Sequence, residues 1–549
     1  MMMLAAHRIV LVLGAIAVVH GQTLTGFVRS AGEGPMEGVL VSAQRANTPV
    51  TITVVTDFGG RYTFPRTRLE PGRYTLHVRA TGYDLEDPGP IDIASNQTAS
   101  ADLRLAKTKD LASQLSNAEW LLSMPGPDDQ KSFLLNCVNC HRLDFITRSR
   151  HTPAEFIQVM ERMSTYANQS TPLKAQHRKA PRLLENRGES LRLARERQAA
   201  YMSSVNLSTQ PTWNYALKTL PRPRGNGTQV IITEYDLPRK TIQPHDVLVD
   251  SAGIVWYSNF GEQQIGRFDP RTMKLTEFSI PITKPGWPLG ELGLRADRQG
   301  NLWFGGSFQA AVAKFDPRTE TFQMFPLTGE FNQAMTQINM ASPQSSDVDG
   351  KVWLQNNGFA MIHRLDPATG KFEDFAPFKD ANPGENHNIY DVIPDSHNNA
   401  WFTDFYGEHI GRIDAKSGQI KLFQTPTHAS APRRAQMDAE DRLWIGEYRG
   451  NRIAMFNTKT ERFKEWEAPT PFSAPYDVTL DREGYAWTGS MSSDRVLRLD
   501  PKSGQFTEYL MPRFTNIRRV FVDNSGPKPV LWIGNNHGAS ILKVEPLDE

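Results

Sequence analysis

Cysteine is what this chain has least of: two residues in 549, Cys137 and Cys140. One disulfide is the most it could hold, and a zinc site would have to recruit histidines from elsewhere. Charge of one sign is also lacking, with 61 Lys+Arg against 60 Asp+Glu and a net charge of +1. That balance leaves no electrostatic footprint for nucleic acid or an anionic membrane, so neither is expected as a partner. Beyond the first 22 residues nothing resembles the roughly 20-residue apolar run that spans a bilayer. What is present is punctuation: 40 Gly and 37 Pro spread along the chain, which favours turns and short strands, hence a mainly β protein. A chain of 549 residues is too long for one core and implies three or more domains.

The opening stretch carries Arg8, an apolar run from Ile9 to Val19, and Gly21 before Gln22. It reads as a signal peptide over 1–21, with a retained anchor as the alternative. The expected location is periplasmic or secreted, with no integral membrane span after cleavage.

Both cysteines sit in "LLNCVNCHRLDF", with His141 directly after Cys140. In Cys-x-x-Cys-His, two thiols can form thioethers to haem vinyl groups while the adjacent imidazole takes the iron. The competing readings are a zinc site and a thioredoxin-like redox pair, the latter lacking a nearby βαβ setting. The surrounding segment, 111–208, is the one helical-looking region. "TPAEFIQVMERMSTYA" offers Thr152 as N-cap, Pro153 in the first turn and Glu155 at the third position, and "LRLARERQAAYMSSVNLS" reads as a late helix. These features resemble a class I cytochrome c domain. The resemblance implies one covalent haem c held by Cys137 and Cys140, His141 as proximal iron ligand and a downstream Met as distal ligand. Met163 is the first choice, with Met160, Met202 and His151 as alternatives.

Residues 22–107 alternate apolar and polar positions between Gly and Pro turns, the pattern of a small β-sandwich. "TDFGGRYTF" and "PGRYTLHVRATGY" are similar to the carboxypeptidase regulatory-like domain, a transthyretin-like fold. That resemblance implies a stabilising or adhesive module, with glycan binding as the alternative.

From 229 to 549, after a linker at 209–228, a unit repeats around Trp256, Trp303, Trp353, Trp401, Trp444, Trp487 and Trp532. Seven units of 43 to 50 residues predict a seven-bladed β-propeller of four short strands per blade. "VIITEYDLP" reads as an outer strand without a blade of its own, so it should complete the last blade and close the ring. The predicted fold is thus mainly β: an N-terminal β-sandwich, a small α-helical cytochrome c-like domain and a C-terminal seven-bladed β-propeller.

"EYDLP", "QPHDVLVDSAGIVWYSNFGEQQIGRFD" and "NAWFTDFYGEHIGRID" resemble the streptogramin (virginiamycin B) lyase family. That family implies Mg-dependent elimination by a His base with a Glu fourteen positions later in one blade. Here the pairs read His245/Asn259, Tyr390/Asp404, Arg433/Glu447 and Tyr476/Ser490, so no blade has both. Inner strands of a propeller converge, and His245, Tyr390, Asp404, Arg433 and Glu447 are therefore the candidate site, expected to meet at a solvent-facing mouth. Asp246, Asn259, Asn356, Asp391, Tyr476 and Asp477 join them as a polar ring suited to a small polar molecule, a glycan, or a Mg or Ca ion. The propeller lacks the Trp-docking repeat that quinone-cofactor alcohol dehydrogenases show. The expected function is electron transfer coupled to binding or oxidation of a polar substrate or partner, with a redox partner protein implied. A lyase with ancillary haem and a non-catalytic carbohydrate or envelope binding protein are the alternatives.

Overall fold

The computed structural model describes residues 23–66, 68–180, 188–343, 348–381 and 387–548, so the expected signal peptide lies outside the described residues. Strands dominate, and helices are confined between Leu111 and Val205 apart from short 3-10 turns.

The N-terminal region is a β domain built on Thr23–Ser30, Leu40–Arg45, Val50–Val55 and Gly72–Arg79. Alternation puts Val41, Tyr62, Phe64, Tyr74 and Leu76 in one apolar core. Gly60, at φ 73°, turns the hairpin; a side chain there would also strike the backbone of Val28 and Met36.

The C-terminal region is propeller-like. Six four-stranded antiparallel sheets follow one another from Pro244–Val249 to Phe506–Leu510. A seventh takes Ile517–Asp523, Val530–Asn535 and Ser540–Pro546 from the end of the chain and Val230–Asp236 from before the first blade. Every residue of Val230–Asp236 pairs antiparallel with one of Ser540–Pro546, so the ring closes with the expected strand. A recurring bond supports the blades. The indole Nε1–H of Trp256, Trp303, Trp401, Trp444 and Trp487 donates to the Asp six residues earlier, at 2.7–3.0 Å. Each buried ring thus keeps its polar atom satisfied, as burial demands.

Val230–Asp236 does a second job. Its other edge pairs with Val50–Val55, so blade and N-terminal domain share one eight-stranded sheet. Because strand side chains alternate, Ile231 enters the N-terminal core while Val230 and Ile232 enter the blade core. An edge strand that could template aggregation is covered.

The helical segment comprises Asn117–Ser123, Pro153–Ser164, Gly188–Val205 and shorter turns, including a 3-10 run over Ser132–Asn139. Thr152 caps Pro153–Ser164 as the sequence predicts: its hydroxyl accepts from the Glu155 N–H and the Glu155 carboxylate accepts from the Thr152 N–H. The helices do not by themselves identify a cytochrome c-like domain. Their core is not self-contained either: Leu135, Val138, Phe156 and Met202 share one apolar cluster with Phe405, Tyr448, Tyr476 and Met491 of the propeller. The stretch expected as a linker is packed against the helices. Trp213 lies 5.2 Å from Trp120 and donates to the Thr147 carbonyl, and Tyr215 donates to that of Val205.

Candidate functional site

The site begins with a fault in the strands. In the blades that start at Pro244, Ile389, Pro432 and Ile517 the innermost strand breaks register just after its first residue. Such bulges re-aim side chains at the start of these four strands, and Tyr476 and Asp477 take the equivalent place after the isolated bridge of Pro475 with Ser490. Two layers result. The upper holds His245, Tyr390, Arg433, Tyr476 and Arg518; the lower holds Asp246, Asp391, Arg434, Asp477 and Arg519. All are buried.

The lower layer is a salt-bridged belt. Arg434 reaches Asp246 at 2.6 Å and Asp391 at 3.5 Å, Arg519 reaches Asp246 at 3.1 Å, and Arg295 reaches Asp391 at 2.9 Å. Burial works against Asp246, yet Arg434 and Arg519 hold it well below the usual carboxylate range. Asp477, 3.9 Å from Arg519, is less well compensated, and burial pushes it up to about 7. Asp246 and Asp391, expected in an ion- or substrate-binding ring, thus spend their charge on arginines. Among the described residues no three His, Cys, Asp or Glu side chains gather where they could hold a metal ion.

The upper layer is one hydrogen-bonded chain. The Arg433 guanidinium donates to the Tyr390 hydroxyl at 3.2 Å, Tyr390 and Tyr476 share a 2.5 Å bond, Tyr476 meets His245 Nε2 at 3.0 Å, and His245 Nδ1 meets Asp246 at 2.8 Å. Its direction follows from chemistry. Arg only donates and an ionised Asp only accepts, so His245 carries its proton on Nδ1 and Nε2 must accept from Tyr476. Tyr390 then donates to Tyr476. Burial first, with Arg518 and Arg434 opposing protonation and Asp246 favouring it, pulls His245 down to about 3, so it is neutral. Arg433 lies 4.3–4.8 Å from the ring centres of Tyr390, Phe405, Tyr448 and Tyr476.

The expected meeting of His245, Asp404, Arg433 and Glu447 is half realised. His245 and Arg433 are joined through two tyrosines; Asp404 and Glu447 are elsewhere. The reason lies in strand position. Residues that end the second strand clamp the adjoining loop: Asn259 accepts from Gln243 and Gly261 N–H, Asn356 from Gln337, Asp404 from Asn388, and Asn535 from Asn516 and Gly538. Asp404 also accepts from His387 Nδ1 at 2.7 Å. At Glu447 no N–H or cation among the described residues hydrogen-bonds the carboxyl, and its near neighbour is another acid, Glu465. Burial first, then the neighbouring Glu465 charge, pushes it up to about 8.

Nor is the mouth open to solvent. The run Leu135–Asn139, which carries Cys137, covers it, and six bonds hold it there. Tyr448 donates to the Leu135 carbonyl (2.7 Å), Arg449 to Asn136 Oδ1 (3.4 Å), Asn516 to the Val138 carbonyl (3.0 Å) and Arg433 to Asn139 Oδ1 (3.0 Å). Arg518 (2.6 Å) and His537 Nε2 (3.2 Å) both donate to the Asn139 carbonyl. Every donor is the propeller's and every acceptor the loop's. Sequence reasoning found Arg433 but missed Arg434, Arg518, Arg519, Asn516 and His537. The doublets in "APRRAQ" and "NIRRVF", at equivalent strand starts, were the available signal.

Cys137 lies within the loop and Cys140 just after it, and the two are not joined by a disulfide. Burial, with Cys140 adding to it, pushes the Cys137 thiol up to about 12, the reverse of the activated thiolate a dithiol catalyst needs. His141 Nδ1 lies 2.8 Å from the Arg142 carbonyl oxygen. That bond fixes the proton on Nδ1 and leaves the Nε2 lone pair for a metal, while burial lowers the pKa and keeps the ring neutral. A donor set of two thiols and one oriented imidazole fits a covalently held haem. Of the distal candidates, Met163 is 38% exposed, Met202 is buried in the shared core, and Met160 packs against that core as Cys137 does. His151 is exposed, its ring edge-on to Phe156.

Residues 287–546 match the Virginiamycin B lyase family, and residues 23–106 match the carboxypeptidase regulatory-like domain. The first match begins after the blade that carries His245. No curated protein matches the chain. Among solved structures, selenomethionine-substituted virginiamycin B lyase from Staphylococcus aureus is 22% identical, covering 57% of this chain and 99% of that one, with a TM-score of 0.49. A streptogramin B lyase is 21% identical over 58% of this chain and 99% of that one, TM-score 0.49. The extracellular domain of a one-component system from B. thetaiotaomicron is 18% identical over 55% and 40%, TM-score 0.42.

Proposed function

We propose that the protein is an exported c-type haem protein that passes single electrons, its propeller serving as the seat of the haem-bearing segment. Cys137 and Cys140 would carry the thioether bonds and His141 would bind iron through Nε2. When bound, the group supplies a one-electron couple. Met160 would be the better candidate for a second protein ligand, because it packs on the same core as Cys137 whereas Met163 is partly exposed.

The observation that carries this reading is the seating of the Cys-x-x-Cys-His loop: six propeller donors converge on residues 135–139, and His141 is already oriented by a carbonyl. The chain's own contribution is to fix that segment, surround it with apolar side chains and keep water away. With the mouth covered and Asp246 and Asp391 held by arginines, a redox partner protein fits better than a small polar molecule or glycan. No divalent cation is part of the reading. The lyase alternative rests on the family match, but His245 spends Nε2 on Tyr476 and Glu447 stands apart from it, so no base and acid are left facing one substrate. The sandwich acts as a stabilising module.

The test is the intact mass of the exported protein after denaturation. The reading expects the chain plus one haem; the unmodified chain mass would refute it.

A further inference from the structure

The two channel layers differ in their charge balance. In the lower one three acids, Asp246, Asp391 and Asp477, face three cations, Arg295, Arg434 and Arg519. In the upper one Arg433 and Arg518 face no acid: among the described residues no carboxylate lies within salt-bridge distance of either. Arg433 donates to Tyr390, Asn139 and the Met491 sulfur. Arg518 donates to Asn516 Oδ1 and the Asn139 carbonyl and lies 5.2 Å from the Phe260 ring centre. Each is 3% exposed.

Burying an unpaired cation is unfavourable. The four rings around Arg433 offset part of that cost. For Arg518 one ring and two neutral acceptors do less. A hydrogen bond to Asn139 alone would not require a charge, since His537 supplies a neutral donor to the same carbonyl. Both cations touch Asn139, one of the two residues between Cys137 and Cys140, and among the described residues neither has a carboxylate partner.

We infer that Arg433 and Arg518 are an uncompensated charge pair whose role is electrostatic: they favour the less positive of two redox states of the group held by Cys137, Cys140 and His141. The inference rests on the haem reading above. Water cannot screen the pair, so its field acts across the low-dielectric interface. Reduction adds one electron to the iron, supplied by a partner protein or a chemical mediator, and no bond in the chain forms or breaks. Loss of either positive charge therefore lowers the midpoint potential. Both are positioning residues rather than catalytic ones.

The experiment is a mediated spectroelectrochemical titration of the full-length haem-loaded protein. Arg433→Gln and Arg518→Gln are each expected to shift the ferrous-to-ferric ratio at the wild-type midpoint about tenfold toward ferric, about 59 mV for one electron. Arg433→Lys and Arg518→Lys keep the charge, and Asn139→Ala keeps both charges while removing the bond from Arg433; all three should stay near the wild-type potential. If Arg433→Gln does not fold, Arg518→Gln carries the test. Equal shifts in the Gln, Lys and Asn139→Ala variants would make the pair a structural clamp and overturn the inference, as would no shift in any of them. Those results leave the haem reading standing. A wild-type protein without covalent haem overturns both.

Discussion

The propeller carries two additions, and it holds them in opposite ways. The N-terminal β domain is joined first through backbone: Val50–Val55 extends the sheet that Val230–Asp236 closes, and the Arg68–Glu545 and Arg79–Asp494 ion pairs stand beside that ladder. The helical segment is joined through side chains: three Arg, a Tyr, an Asn and a His reach from different blades to one loop of five residues. A backbone ladder is generic support. A convergence of specific donors on residues 135–139 fixes the run that leads into Cys140 and His141 at one spot, which is why the proposed function attaches to the helical side.

The largest effect expected on that side is all-or-none. Cys137→Ser or Cys140→Ser should abolish the doubly attached haem in the exported protein, read as loss of its absorbance on a denatured, desalted sample. The N-terminal domain should stay folded, as measured by resistance of residues 23–107 to proteolysis. Joint loss of both would erase the distinction between the two attachments.

Next in size is a pH effect at the buried acid Glu447. Glu447 titrates at about 8 in the folded chain against an ordinary 4.5. The folded state therefore holds the proton more tightly than the unfolded one. This contribution is complete below about pH 4.5 and is lost as pH rises toward 8, by up to about 1.4 kcal/mol per unit. Urea unfolding at several pH values should show the slope in the wild type and a flatter one in Glu447→Gln. An unchanged slope would place the titration elsewhere.

A smaller, local loss is expected from Tyr448→Phe, which leaves the buried Leu135 carbonyl without its donor. The cost should be about 1–3 kcal/mol, seen as faster hydrogen exchange across residues 132–141 while Val50–Val55 is unaffected. The smallest effect belongs to the ladder: Thr51→Ala should change stability by less than about 0.5 kcal/mol in denaturant titrations. A loss there as large as that of Tyr448→Phe would show the backbone joint to be as specific as the other.

The same contrast explains what was legible in the sequence. The Trp repeat, the closing strand and the cap at Thr152 follow local rules of period and turn chemistry, and the structure contains all three. The sharing of Val230–Asp236 between two sheets was not legible, because an edge strand's pattern does not say what pairs with its free side. At the site, the fourteen-residue pairs were aligned correctly, but alignment does not tell which member faces the channel. The bulge after Pro244 and Pro432 turns His245 and Arg433 inward, whereas Asn259 and Asp404 clamp loops and Glu447 stands apart from the chain. The covering of the mouth by residues 135–139 joins segments some 300 positions apart, as Tyr448 and Leu135 are, and no local pattern encodes such a contact.

The most direct test of the account is anomalous X-ray diffraction at the iron edge on crystals of the exported, haem-loaded protein. The account predicts one iron per chain, within ligand distance of His141 Nε2 and between the helical segment and the propeller face that carries Arg433 and Arg518. Iron absent, or bound away from His141, would contradict it.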